Sequence, residues 1–137
     1  MSFGKLRKSL GYSSKENIYE MLRFCNILNT NVIGGAGKLL NYFINTYHPK
    51  EIISYADRRW SNGNLYTKLG FKLIKTTVPN YFYVINGNRE NRFKYKKDTL
   101  INNGYDPKKT EKEIMIERKI YRIYDSGSFL FKFLPGN

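Results

Sequence analysis

Residues 18–60 read IYEMLRFCNILNTNVIGGAGKLLNYFINTYHPKEIISYADRRW, and the reading of this stretch decides the fold class. Ile18 to Phe24 alternates as a strand, with Tyr19, Met21 and Arg23 on one face and Ile18, Glu20, Leu22 and Phe24 on the other. From Ala36 the period changes. Ala36, Leu39, Leu40, Phe43, Ile44 and Tyr47 follow the i, i+3, i+4, i+7 spacing of an amphipathic helix, which Pro49 closes. Ile52 to Ala56 is a short apolar run of the kind that forms a buried strand. The expected class is therefore α/β, of the α+β type.

Working outward, Ser61 to Leu69 predicts a second helix, with Gly70 just past its end. Phe71 to Ile74 and Tyr81 to Ile85 predict strands on either side of a turn at Pro79-Asn80. Upstream, residues 1–16 are basic and broken by Gly4, Gly11 and the Ser13-Ser14 pair, which predicts a strand end followed by a loop. Beyond residue 86 the chain turns polar and basic. Asn91 to Asn102 is expected to be helical, and Thr110 to Glu113 has capping-box spacing. Residues 121–133 are expected to form a hairpin turning at Asp125-Ser126-Gly127. This gives one domain over residues 1–137, with a core over 1–85 and a basic appendage over 86–137.

Composition narrows the partners. Twenty-four Lys and Arg against eleven Asp and Glu leave a formal charge of +13, which attracts polyanions. Aromatic residues make up 16% of the chain, and basic side chains mixed with aromatics suit a surface that neutralises phosphates and stacks on bases. The bland alternative is a lysine-rich solvated face. Cys25 is the single cysteine, so no internal disulfide forms, and a reducing cytoplasm is the expected location. With His48 the single histidine, a zinc site of usual composition is excluded, and no metal is expected. No apolar run approaches the roughly 20 residues of a membrane span, and no signal peptide follows the basic N-terminus.

Two clusters carry possible chemistry. Asn31, Gly34, Gly35, Ala36 and Gly37 lie between the first strand and the helix, where glycines admit a ligand close to the backbone and free amides favour phosphate. Spacing excludes a Walker A loop and a dinucleotide fingerprint, and a tight turn explains these glycines equally well. The second cluster follows the buried strand: Asp57, Arg58, Arg59, Trp60, Ser61 and Asn64, with Tyr66 beyond. Ligands gather at strand ends of this kind, arginine clamps phosphate and tryptophan offers a stacking plane. The bland alternative has Asp57 capping the helix and pairing with Arg58 or Arg59.

The order of strand, glycine loop, helix, strand and a helix ending Leu65-Tyr66-Thr67-Lys68-Leu69-Gly70-Phe71 resembles the later half of the GNAT N-acetyltransferase fold. The resemblance implies a central mixed sheet flanked by helices, with acetyl-CoA or another acyl-CoA held at a Q/R-x-x-G-x-G/A loop. Gly34 and Ala36 match that loop, whereas Asn31 stands in place of Gln or Arg. It also implies Tyr66 as general acid on the departing thiolate. Arg59 stands where the family often has Asn. Residues 19–43, 54–72, 79–84 and 121–127 are similar to a module that follows the nuclease domain of many phage homing endonucleases. Glu20, Leu22 and Arg23, with Ser54 to Asp57 and Gly63, are similar to the phage DNA-modification protein Mom, which alters adenine. In such relatives further strands precede the segment where Met1 begins. The expectation is thus a GNAT-like domain without its N-terminal strands, either a trimmed module of a longer protein or a minimal version completed by a second copy or another chain.

If the chain is an enzyme, Glu20 and Asp57 are the candidate bases and Tyr66 the candidate acid. If it is a binding module, Arg58, Arg59, Trp60, Ser61 and Asn64 hold DNA, while Arg89, Arg92, Lys94, Lys96 and Lys97 track phosphates. A third expectation is an acyltransferase acting on a protein such as a host defence factor. A metal-dependent nuclease lacks its clustered carboxylates here.

Overall fold

The computed structural model describes residues 1–8, 11–13 and 15–136, so Ser14 of the serine pair lies outside the described residues. In chain order the strands are β1 (Ser2–Lys5), β2 (Ile18–Arg23), β3 (Glu51–Asp57), β4 (Lys72–Thr76), β5 (Tyr81–Ile85), β6 (Asn88–Asn91), β7 (Arg122–Tyr124) and β8 (Ser128–Phe133). The α-helices are α1 (Gly35–Tyr47), α2 (Asn64–Lys68), α3 (Lys97–Asn102) and α4 (Glu111–Glu117). The class is α+β. Two compact units are present: Met1–Thr77 with Gly127–Asn137, and Val78–Ser126.

The first unit is a mixed five-stranded sheet in the order β1-β2-β3-β8-β4. Its one parallel pair is β2 with β3, and the other neighbours run antiparallel. The helix α1 lays Leu40 and Phe43 onto Met21, Ile52, Ala56, Phe71 and Phe131. Each such side chain taken from water contributes on the order of 1.5–3 kcal/mol. The α1 start has no side-chain cap, because Gly34 (φ 72) turns the chain there, and His48 (φ 45) ends the helix before Pro49. The opposite sheet face buries Leu6, Ile53 and Leu130, with Tyr12, Ile18 and Tyr55 packed on them.

The second unit is a three-stranded antiparallel sheet, β6-β5-β7, over Tyr83, Leu100, Ile114 and Met115. Ile85 pairs with Asn88 across Asn86-Gly87, both with positive φ (51 and 75). That is a two-residue hairpin of the type that Asn-Gly favours. A 3-10 turn over Arg92–Tyr95 precedes α3, so the helix expected over 91–102 is broken by the end of β6 and this turn. The capping box forms as its spacing predicted: Thr110 Oγ1 accepts from the Glu113 N–H, and the Glu113 carboxylate accepts from the Thr110 N–H at 2.7 Å.

The expected 121–133 hairpin is not formed. β7 pairs with β5, whereas β8 passes between β3 and β4 of the first unit. The boundary placed at residue 86 falls differently for the same reason: β5 belongs to the second unit, and residues 127–136 return to the first. Charge divides unevenly between them. Residues 78–126 hold eleven Lys and Arg against seven Asp and Glu, leaving thirteen against four elsewhere. Most of the positive excess therefore lies in the first unit, not in the segment read as a basic appendage.

Candidate functional site

The strands β2 and β3 pair from Ile18 with Glu51 to Glu20 with Ile53, and there their mutual register ends. Beyond it β2 stays with β1 as far as Arg23, and β3 stays with β8 as far as Asp57. A crevice opens where the two carboxyl-terminal ends part. At its apex the Ser54 hydroxyl lies 2.7 Å from the Met21 carbonyl oxygen and 3.1 Å from the Tyr66 hydroxyl. One serine proton serves one acceptor at a time, so the shorter contact to Met21 leaves Ser54 oxygen lone pairs facing Tyr66. The Tyr66 ring stacks on Phe131 at a centroid separation of 4.8 Å, which fixes its direction.

On one side of the crevice the glycine loop lines a cavity of about 460 Å³ with Phe24, Asn31, Ile33, Leu65, Lys68 and Leu69. Gly34 requires its positive φ, whereas a side chain on Gly37 would meet nothing within 4 Å. The start of α1 carries no acidic residue in its first turn. Its free amides and the positive end of the helix dipole thus face no competing carboxylate.

Next to it, sharing Leu65, is a broader groove of about 720 Å³ lined by Arg58, Arg59, Trp60, Ser61, Asn62 and Phe129. The Arg59 guanidinium stacks 4.5 Å from the Trp60 ring centroid, and Arg58 lies 5.4 Å from that of Phe129. Trp60 is 76% exposed. Asp57 is not a helix cap. Its Oδ1 accepts from the Arg59 N–H at 2.9 Å, and its carbonyl oxygen accepts from the N–H groups of Trp60 and Ser61. Ser61 Oγ then accepts from the Gly63 N–H, and Asn62 Oδ1 from that of Asn64. These local bonds shape the loop and confine α2 to Asn64–Lys68, shorter than the helix expected from Ser61. Gly63, at φ 82, begins it.

Glu20 does not join this site. It is 1% exposed, on the sheet face opposite Tyr66, where the Arg7 Nε donates to both its oxygens at 2.9 and 3.0 Å. Arg7 also lies 5.7 Å from the Tyr55 ring, and the carboxylate raises the arginine's pKa further. Burial first, and then the bond to Tyr12 at 2.8 Å, pushes the Tyr55 hydroxyl above the ordinary phenol range. Glu20 is a structural carboxylate in an ion pair, so Asp57 is the carboxylate left near the crevice.

The cations of the 89–97 segment sit in the second unit. Arg89 stacks over Phe82 at 4.3 Å, Arg92 over Tyr81 at 5.0 Å and Lys96 over Phe93 at 4.7 Å. Lys94 is paired with Glu90 at 2.6 Å, and Lys97 opens α3 on the surface. Sequence reading missed Leu65, Lys68 and Phe129 as lining residues. The first two were visible as one face of the short helix following the arginines. Phe129 was not, because it comes from a strand distant in sequence.

Among the described residues no group of His, Cys, Asp and Glu side chains could hold a metal ion, and no helix is long and apolar enough to cross a membrane. No family model matches the chain, and no curated protein matches it.

Proposed function

We propose that the first unit is a GNAT-like domain that binds DNA, in the manner of a module attached to phage homing endonucleases. The observation that carries the reading is the groove beside the strand ends, where two arginines and an exposed tryptophan adjoin one another. Arginine neutralises phosphate and forms two parallel hydrogen bonds to it, while an indole face accepts a stacked base whatever its identity. The concentration of net charge in this unit supports a polyanion over a neutral ligand. Strand order β1-β2-β3-β8-β4, with its single parallel pair parting beside a glycine loop, supports the GNAT-like part of the reading. Trp60 is the single tryptophan, so its emission reports on this groove alone. Titration with duplex DNA at low salt is expected to quench it, and Trp60→Ala, followed by gel shift, to weaken binding about fivefold or more by loss of stacking. Unchanged emission at saturating DNA would place the contact elsewhere.

A second layer of the same reading is base modification of the Mom type, favoured by the Tyr66 hydroxyl at the crevice apex. An acyl-CoA fits the donors present: uncapped amides at Ala36 and Gly37 with Lys68 nearby for its phosphates, and the apolar wall of Leu65 and Leu69 for its chain. When bound, such a cofactor supplies an electrophilic acyl carbon. In this reading Tyr66, whose hydroxyl contacts that of Ser54 at 3.1 Å, is the proton donor to a departing sulfur, and Asp57 ends β3. DNA from cells making the protein is expected to yield a modified nucleoside on enzymatic digestion and mass spectrometry, and Tyr66→Phe to abolish it. Ordinary base composition throughout would leave binding as the sole activity.

A further inference from the structure

The second unit has a cavity of its own, about 220 Å³, lined by Tyr81, Arg92, Phe93, Lys96 and Glu111. Its chemistry is unlike a solvated basic face. Glu111 Oε1 accepts from the hydroxyls of Tyr81 and Tyr83 at 2.8 and 2.7 Å, and from the Arg122 guanidinium at 3.2 Å. Arg122 also stacks 4.0 Å from the Tyr81 ring and donates to the Tyr83 hydroxyl at 3.1 Å. Three donors converge on one oxygen, and Oε2 has no protein donor among the described residues. The carboxylate is thereby held rigid with one acceptor unused. Burial and then the bond to Glu111 push the Tyr83 hydroxyl up to about 12, so both tyrosines stay protonated donors at neutral pH.

The mouth is cationic and aromatic. Phe93 is 47% exposed, with Lys96 4.7 Å and Arg92 5.5 Å from its ring centroid. Arg122 offsets Glu111, which leaves Arg92 and Lys96 as the uncompensated charge. A ligand for this cavity needs an anion for the mouth, a flat face for Phe93 and a hydrogen-bond donor for Glu111. An acidic peptide brings the anion but is repelled by the carboxylate, and a bare phosphate uses only the mouth. A nucleotide has all three. The volume is below the roughly 300–1,000 Å³ of sites that enclose drug-sized ligands, so it suits one planar base with its phosphate outside.

We propose that this cavity takes one unstacked base of a single-stranded nucleic acid, the base against Phe93 with an edge N–H on Glu111 and the adjoining phosphate between Arg92 and Lys96. The inference rests on the DNA reading for the identity of the polyanion and adds a second, base-contacting site to it.

The test uses the full chain carrying Trp60→Ala, which removes base stacking in the arginine groove, and two short single-stranded DNA probes of equal length and phosphate count, one of mixed sequence and one abasic throughout. The mixed probe is expected to bind about tenfold more tightly than the abasic one, as stacking of one base implies. Phe93→Ala, at an exposed position outside the buried cluster, is expected to erase that ratio while leaving abasic binding unchanged. Arg92→Ala is expected to weaken both probes. Equal binding of the two probes, or a ratio that survives both Phe93→Ala and Glu111→Gln, overturns the pocket while leaving the arginine groove intact. A ratio kept in Arg58→Ala/Arg59→Ala with undiminished affinity overturns the groove instead. No binding of either probe at low salt overturns both. A free deoxynucleoside monophosphate serves as a third probe. If it binds as tightly as the strand, the ligand is a mononucleotide and the strand proposal falls.

Discussion

Replacing Gly63 with alanine is expected to destabilise the first unit by about 3 kcal/mol. Two costs combine. Gly63 has φ +82, where a side chain costs on the order of 1–2 kcal/mol. A Cβ there would also stand 2.4 Å from Phe131 Cζ and 2.8 Å from Cε2, and overpacking a core adds about 1–3 kcal/mol. The ring has little room to retreat. Phe131 is buried, stacked on Tyr66 and edge-on to Phe129. The substitution therefore reaches the candidate site as well, since Gly63 starts the helix that carries Leu65 and Tyr66. Urea denaturation followed by circular dichroism measures the loss. A change under about 1 kcal/mol would mean that the α2 start adjusts freely, contrary to the tight packing described.

The second large effect is an asymmetry across the Arg7–Glu20 pair. Arg7→Ala is expected to cost about 2–3 kcal/mol, and Glu20→Gln clearly less. Removing the arginine leaves a carboxylate at 1% exposure without its counter-charge, the costly way to break a buried pair. Removing the carboxylate's charge leaves an arginine whose side chain is 47% exposed and turns to water. Solvent at the arginine's end keeps the first figure below the roughly 3–5 kcal/mol of fully enclosed pairs. Paired denaturation curves decide it. If Glu20→Gln is the more damaging, the carboxylate contributes something other than charge pairing.

Much of the first unit was legible because its signals are local. The β2–loop–α1–β3 order follows from a change of hydrophobic period between Ile18 and Ala56, and the glycine at position 70 marks the end of α2. What failed was pairing between distant segments. Phe129, Phe131 and Phe133 alternate as any half-buried strand does, and nothing in that alternation names the neighbour. Asp125-Ser126-Gly127 looked like a hairpin turn, yet it is where the chain passes from one sheet to the other. The Asn86-Gly87 hairpin was a readable signal left unread, and it cost β6. Glu20 failed for a different reason. Alternation placed it correctly among apolar neighbours, but its ion-pair partner Arg7 lies thirteen residues upstream in a basic stretch where no single arginine stands out. Arg58, Arg59 and Trp60 do come together as adjacency suggested, because the bonds that Asp57 accepts run two to four positions along the chain, although the Arg58 N–H is also held by the distant Gly127 carbonyl.

The claim that phosphate is held beside the strand ends meets its most direct test in the salt dependence of duplex DNA binding. Log affinity against log salt concentration is to be measured for the full chain and for Arg58→Ala/Arg59→Ala. Each neutralised phosphate contributes a slope of ~0.9, so the double variant is expected to be shallower by about 1.8 and weaker at every salt concentration below the physiological. Parallel lines of equal affinity would contradict the account, because DNA would then be bound without the two arginines on which the groove depends.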